Sequence, residues 1–396
     1  MFDLNYRLGR LGINAADAKR GVVESVVQVH TLDELRQLLD TGAEDPKRDS
    51  ALAALLEGID LGDDGLLERV HSHLFGTAPI SAADKAAAEV RLPLTVHVTA
   101  SAEPKTISAP WDLSTPNGEL RVVVLSDFTM NNGGNVICYK TPLQFTCETL
   151  TRNGSPGAPG DFNILGATGA AIPAPSKPPT PGQAQSGAPG QCSSAGIAGS
   201  GGGNGTRGAT GTQGAPGATG NSGIPSQMAI ITVTRQVTVP TGYQVIVATR
   251  SGTGGNGQPG GPGGDGGQGG NGGDGRTCGC TGNGGGSGAQ GGTGGTGGPG
   301  GPGGNAVNAS GNIVVTVPAG DLAKLLQGGL PQVVPPGNGG AGGPPGSGGP
   351  GGGGGSGGKG NGGGSRGGTG PAGATGAQAG PGTVSGQPAK VVIQPG

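Results

Sequence analysis

Aromatic side chains are almost missing from this chain: one tryptophan, three tyrosines and five phenylalanines, 2% of 396 residues. Aromatic and aliphatic side chains supply most of the area a globular core buries, so an oily core running the whole length is excluded. Histidine is nearly as scarce, with His30, His71, His73 and His97 the full set. His71 and His73 are two apart on a predicted helix and face away from each other, so a shared metal is not expected. Cys-x-x-Cys pairs are missing, as are P-loop and zinc-protease motifs. Strings that satisfy Gly-x-Gly-x-x-Gly do occur, but in a glycine-rich chain they follow from composition. The sequence therefore predicts no catalytic residue, no metal and no cofactor, and a protein that is not an enzyme.

Other absences narrow the partners. The net charge is −2 and no basic run or basic–aromatic alternation occurs, which argues against nucleic acid. No apolar stretch approaches the ~18–20 residues of a membrane span. The opening residues, MFDLNYRLGRLG, lack the charged region and apolar core of a classical secretory signal.

What is present is glycine, 95 residues of it, of which only 11 fall in residues 1–150. It recurs at every third position from Gly187 to Gly223 (broken at Ser193), from Gly255 to Gly303 (broken at Gln258 and Arg276) and from Gly337 to Gly376 (broken at Asn361). Three residues per turn is the period of a polyproline-II-type helix. Glycine at one phase clears side chains from one edge, so another backbone can lie against it. A disordered linker has no reason to hold such a phase.

The remaining sequence has ordinary signals. Residues 14–90 suggest a compact α-containing segment: a strand at 22–30, a helix at 32–40 with Thr31 and Glu34 at capping-box spacing, and helices at 51–59, 66–75 and 81–90. From Leu92 the period becomes two, giving strands at 92–100, 118–130, 135–141, 143–151, 228–239, 243–250, 312–318, 330–334 and 389–395.

The predicted fold is mixed: a small α-containing N-terminal domain, a β-strand scaffold and polyglycine-II helical bundle arms. Residues 1–91 form the α-rich domain and 92–151 the β-scaffold. A first glycine-rich excursion covers 152–226, followed by strands over 227–251. A second glycine hairpin covers 252–305, then a strand and short helix over 306–334. A third hairpin covers 335–384, and 385–396 is a terminal strand. In the second hairpin, arms 254–275 and 284–304 flank a turn at 276–283; at about 3.1 Å per residue, 22 residues reach roughly 68 Å. In the third, 337–358 and 364–382 flank 359–363. In the first excursion, IPAPSKPPTPGQ (172–183) breaks the phase and is the expected turn.

Two rivals share this composition. A collagen triple helix fits Gly205–Gly223, which is Gly-X-Y throughout, and disordered loops fit the glycine content alone. The unit elsewhere is Gly-Gly-X, as in GGPGGDGGQGGNGGD. A second glycine is entropically wasteful in a triple helix but useful where a helix has neighbours on two sides.

GGPGGDGGQGGNGG and GGTGGTGGPGGPGG resemble the glycine-rich antifreeze proteins of springtails and the glycine-rich adhesins of phage tail fibres. The resemblance spans about residues 154–382. It implies a polyglycine-II bundle and carries over no functional residue.

Cys138, Cys147, Cys192, Cys278 and Cys280 are candidate disulfide cysteines. Cys138 and Cys147 flank YKTPLQFT and could bridge a hairpin; Cys278 and Cys280 lie where two arms meet; free or buried thiols are the alternative. Asp265, Asn271 and Asp274 fall on one edge of their arm, where calcium or plain solvation would account for them. The exposed turn Arg276, Thr277, Gly279, Thr281 and Asn283 is the candidate contact surface, with 172–183 beside it. Thr293 and Thr296 fit one step of an ice-binding edge, which Pro299 and Pro302 then interrupt. The expected function is structural: a self-associating subunit of an extracellular fibre or surface layer, on a cell surface or virion. The alternatives are an adhesin that touches a cell-surface glycan or receptor, and an ice-binding protein.

Overall fold

A computed structural model describes residues 4–39, 66, 69, 70, 73, 74, 79–155, 159–195, 199–307, 312–332, 336–338, 340–341, 343–344, 346–357, 360–385 and 389–396. The helix expected at 51–59 and part of that at 66–75 lie outside the described residues.

The chain is strand-dominated, with parallel-rich sheets and few helices. Strands alternate between two sheets as the chain advances. The larger sheet holds β1 (Val23–Val29), β2 (Leu94–Ser101), β5 (Leu120–Met130), β7 (Leu143–Arg152), β11 (Ala229–Thr238), β16 (Ile313–Val317) and β19 (Val391–Pro395) in that order, with β3 (Lys105–Ile107) also on β5. The smaller runs β17 (Leu330–Gln332), β12 (Val247–Arg250), β8 (Phe162–Leu165), β6 (Asn135–Tyr139) and β4 (Pro110–Asp112). Every pairing in both sheets is parallel except β1 with β2. From β4 onward each circuit leaves one sheet, crosses to the other and returns one strand further along, so the scaffold is a parallel coil.

Parallel strands buried on both faces need continuous apolar runs, and β5 has one. Val123 and Leu125 enter the core between the sheets, whereas Leu120, Val122 and Val124 face the second core. Trp111, Phe128, Phe145 and Phe162 are gathered in the first core. Phe145 stacks edge-on against Phe128 and Phe162 with centroids 5.2 and 5.3 Å apart, and Trp111 lies 5.7 Å from Phe128. The second core joins the opposite face of the large sheet to the N-terminal helices: α1 (Leu4–Arg10), α2 (Ala15–Ala18), α3 (Leu32–Leu39) and α4 (Ala82–Glu89). In α3, Leu32, Leu35, Leu38 and Leu39 form the buried face, and Thr31 Oγ1 accepts the Glu34 N–H while Glu34 accepts that of His30. The described part of residues 1–91 thus shares a sheet and a core with the scaffold, because β1 pairs with β2.

One circuit of the coil takes 22 residues where Asp127 lies beside Thr149, and 78 where Thr316 lies beside Gln394. The surplus is a glycine hairpin. After β8, β12 and β17 the chain runs outward as arms 1, 3 and 5 (166–190, 252–275 and 337–357). It returns as arms 2, 4 and 6 (201–225, 284–305 and 361–383) to β11, β16 and β19, arms 4 and 6 ending in the parallel pair β15 (Ala306–Val307) and β18 (Val384–Ser385).

The outgoing arms are parallel to one another and continue the small sheet. The returning arms are parallel to one another and continue the large one. Gly257, Gly260, Gly263, Gly266 and Gly269 in arm 3 donate to carbonyls of arm 5, and Gly255, Gly261, Gly264, Gly267 and Gly270 donate across the layers to arm 2. Arm 4 repeats this, with Gly288, Gly291 and Gly294 donating to arm 6 and Gly292, Gly295 and Gly298 to arm 3. These bonds are 2.7–3.0 Å long and recur every third residue. Arms 3, 4 and 5, each bonded to arms of both layers, are the Gly-Gly-X arms. Methyl groups added to Gly294 and Gly295 would strike the carbonyls of Gly346 and Thr212. Arm 6 lies at an edge and is Gly-X-Y, and a methyl group on its Gly368 would meet nothing within 4 Å.

The structure corrects the turn expected at 172–183. That segment lies within arm 1, and the first hairpin reverses beyond it, where β9 (Gln191–Cys192) pairs antiparallel with β10 (Gly199–Ser200). The three-residue period survives the change of residue: Pro175, Pro178 and Pro181 pack over Gly261, Gly264 and Gly267 of arm 3. Proline suits the extended three-fold backbone but has no N–H to donate, so the bonds to arm 3 made by Gly169, Ala184 and Gly187 lapse at these three positions.

Candidate functional site: tips and faces of the glycine arms

The hairpin tips lie at the end of the arms far from the scaffold. In the second hairpin, Thr277 pairs with Gly282 and Cys278 with Thr281, as β13 (Thr277–Cys278) and β14 (Thr281–Gly282). The two residues between are Gly279 and Cys280, and Gly279 has φ +63°, a conformation that favours glycine over a Cβ-bearing residue. Arg276, Thr277, Gly279, Cys280 and Thr281 are exposed. Asn283 is half-buried and turned inward: its N–H goes to Arg276 O at 2.8 Å and its side-chain amide to Ser200 O at 3.2 Å. The Asn361 side chain donates to Gly282 O, bringing in the third hairpin. The candidate turn therefore splits into an outer rim and an inner clamp.

Cys192 is bonded to Cys278, joining the tips of the first and second hairpins. Cys280 is an exposed thiol. The bridge entertained between Cys138 and Cys147 does not form. Cys138 is on β6 in the small sheet and Cys147 on β7 in the large one, and both are buried thiols in the core between the sheets. Burial pushes the Cys138 thiol up to about 12 and raises that of Cys147 further, so neither is a nucleophile at neutral pH.

Between tips and scaffold, the third position of each triplet carries the side chains. Asn256, Asp265, Asn271 and Asp274 of arm 3 use their Oδ1 atoms to accept the N–H groups of Asn338, Ser347, Gly353 and Ser356 in arm 5, at 2.7–3.1 Å. Asp265 also holds Lys177 of arm 1 at 2.8 Å. The Lys177 ammonium and the Ser347 amide keep its carboxyl below the usual range. The edge considered for calcium is thus occupied by neighbouring backbone, and no group of three metal-ligating side chains occurs among the described residues. On the returning layer, Asn204 accepts Ser287 N–H and Asn305 accepts Thr383 N–H, both at 2.9 Å. Sequence reasoning passed over Asn204, Asn256 and Asn305; the only signal was their shared triplet phase.

Where the first circuit meets the next, Arg152 Nε lies 3.0 Å from Asp161 Oδ1 with both side chains fully buried. Arg152 also donates to Asn131 O and Gly134 O, while Asp161 accepts from Tyr243 Oη and Ile246 N. Burial raises the Asp161 carboxyl against these partners. The cluster ties the start of β8 to the approach to β12, and so sets how the first two hairpins leave the scaffold.

No helix among the described residues is long and apolar enough to cross a membrane. Comparison with protein-family models, curated proteins and solved structures found no match.

Proposed function

We propose that this chain is a structural protein: a subunit of an extracellular fibre or surface layer whose scaffold carries a rigid blade of six polyglycine-II arms. The observation that carries the reading is the ladder of interior backbone bonds repeated every third residue across the layers of the blade. Such a ladder needs no oily core, which this composition could not fill. The Cys192–Cys278 bond across the tips suits an oxidising, extracellular setting. Self-association is part of the proposal, the partner being another copy. Negative-stain imaging of purified protein over a concentration series tests it: ordered multimers are expected, and a monodisperse monomer at every concentration overturns it.

A second reading, adhesion to a cell-surface glycan or receptor, is favoured by one observation. The exposed rim of Arg276, Thr277 and Thr281 sits on a tip locked by a disulfide and by Asn283. Replacing Arg276, Thr277 and Thr281 by alanine should abolish cell or glycan-array binding with the fold intact; unchanged binding would remove this reading.

A further inference from the structure

The blade's edges and faces differ in what they can accept. A further glycine arm needs bare backbone on the arm it joins. Arm 6 carries side chains at two of every three positions over most of its length, and Thr369, Ala372, Thr375 and Gln378 line its outer phase. Arm 5, the edge of the outgoing layer, keeps bare glycine at Gly348, Gly351 and Gly354 and is the narrower route to a second copy. The faces offer the broader contact.

The two faces are unequal. The outgoing layer presents Lys177, Asp265 and Asp274. The returning layer forms cross-rows of one residue from each of arms 2, 4 and 6. Their alignment follows from Asn204 with Ser287 and Ser287 with Ser365 near the tips, and from Asn305 with Thr383 near the scaffold. Between those rows the face holds one charge, Arg207, with Gln213, Thr296, Pro299 and Ala374 exposed near its middle. Three arms at a spacing of about 4.8 Å and a length of roughly 65 Å give a flat area on the order of 900 Å². A stable interface takes about 800 Å² per partner.

We infer that the returning-layer face of arms 2, 4 and 6 is the contact between two copies of this chain, packed face to face about a two-fold axis. This deepens the self-association reading above and rests on it. The contact is self-complementary because it is nearly uncharged and flat, and an antiparallel arrangement sends the two Arg207 side chains to opposite ends.

Sedimentation equilibrium of the full chain tests the assignment. Wild type should run at twice the monomer mass or at even multiples of it, the face-to-face pair being the unit that further contacts assemble. The double variant Gln213→Glu/Thr296→Glu should weaken the dimer at least tenfold, because the two-fold axis brings like charges together. Thr375→Glu on the arm 6 edge and Pro259→Glu on the outgoing face should leave it unchanged. Mixing Thr296→Glu with Thr296→Lys copies should restore association as a heterodimer. Circular dichroism and mass detection of the Cys192–Cys278 peptide verify that each variant folds. If Thr375→Glu or Pro259→Glu dissociates the protein and the double variant does not, the face is wrong although self-association stands. A wild-type monomer at about 100 µM overturns both.

Discussion

Asp265 Oδ1 accepts the backbone N–H of Ser347 at 2.9 Å, across 82 residues of chain. Its other oxygen holds Lys177 at 2.8 Å, so one carboxylate ties arms 1, 3 and 5 together. The pair spans all three hairpins of the blade.

This contact has a pH signature. Asp265 has a folded pKa below the ordinary value of 3.8, so its contribution is present above that pH and lost as pH falls through the lowered folded value. Hydrogen exchange at the Ser347 amide should therefore quicken below pH 4 in wild type. Asp265→Asn keeps an acceptor for Ser347 but not the charge for Lys177, and should flatten the profile. An unchanged profile in the variant would place the titration elsewhere.

Glycine position should decide tolerance. Gly295→Ala places a methyl group against the Thr212 carbonyl between layers, and overpacking of that kind costs about 1–3 kcal/mol. Gly368→Ala meets open space and should change stability by less than about 0.5 kcal/mol. Chemical denaturation of the two variants checks the contrast.

Removing the tip bond should act mainly on the unfolded chain. Cys192→Ser opens a link across a sequence separation of 86 and should cost about 2–4 kcal/mol. Proteolysis should then cut first near the tips, with the scaffold resistant. Equal resistance of both regions would show that the arms do not depend on the clasp.

Arg152→Met leaves the Asp161 carboxylate buried without its partner, a change that typically costs about 3–5 kcal/mol. Burial already raises the Asp161 pKa, and losing the guanidinium raises it further. For an acid with a raised folded pKa, the native state holds the extra proton, so stability falls as pH rises from the unfolded value through the folded one. The variant should therefore be more stable at pH 5 than at pH 8 by thermal melting; the opposite slope would mean that Asp161 is not the group being titrated.

Strands were legible wherever apolar residues ran together: β5, β7 and β11 fall where period two or continuous Val and Ile placed them. The second hairpin's turn was legible because Arg276 interrupts a strict phase. The first hairpin's turn was not, because Pro175, Pro178 and Pro181 break the glycine phase while keeping its period. Composition marks where glycine stops, whereas backbone geometry depends only on whether the three-residue repeat continues. The inner role of Asn283 was equally hidden, since it depends on Ser200 from another hairpin.

The amino-acid order alone determined the three-residue backbone period, the absence of an oily core over two-thirds of the chain, and the strands to which each glycine segment returns. These are local properties of φ, ψ and side-chain volume. Only the tertiary structure decided that strands alternate between two sheets, that the sheets continue into outgoing and returning layers, and that Cys192 rather than Cys280 or Cys147 partners Cys278. Arms of near-identical chemistry can pair in many registers by themselves. The coil of the scaffold selects one, because each strand pairing sets the height at which the next arm leaves.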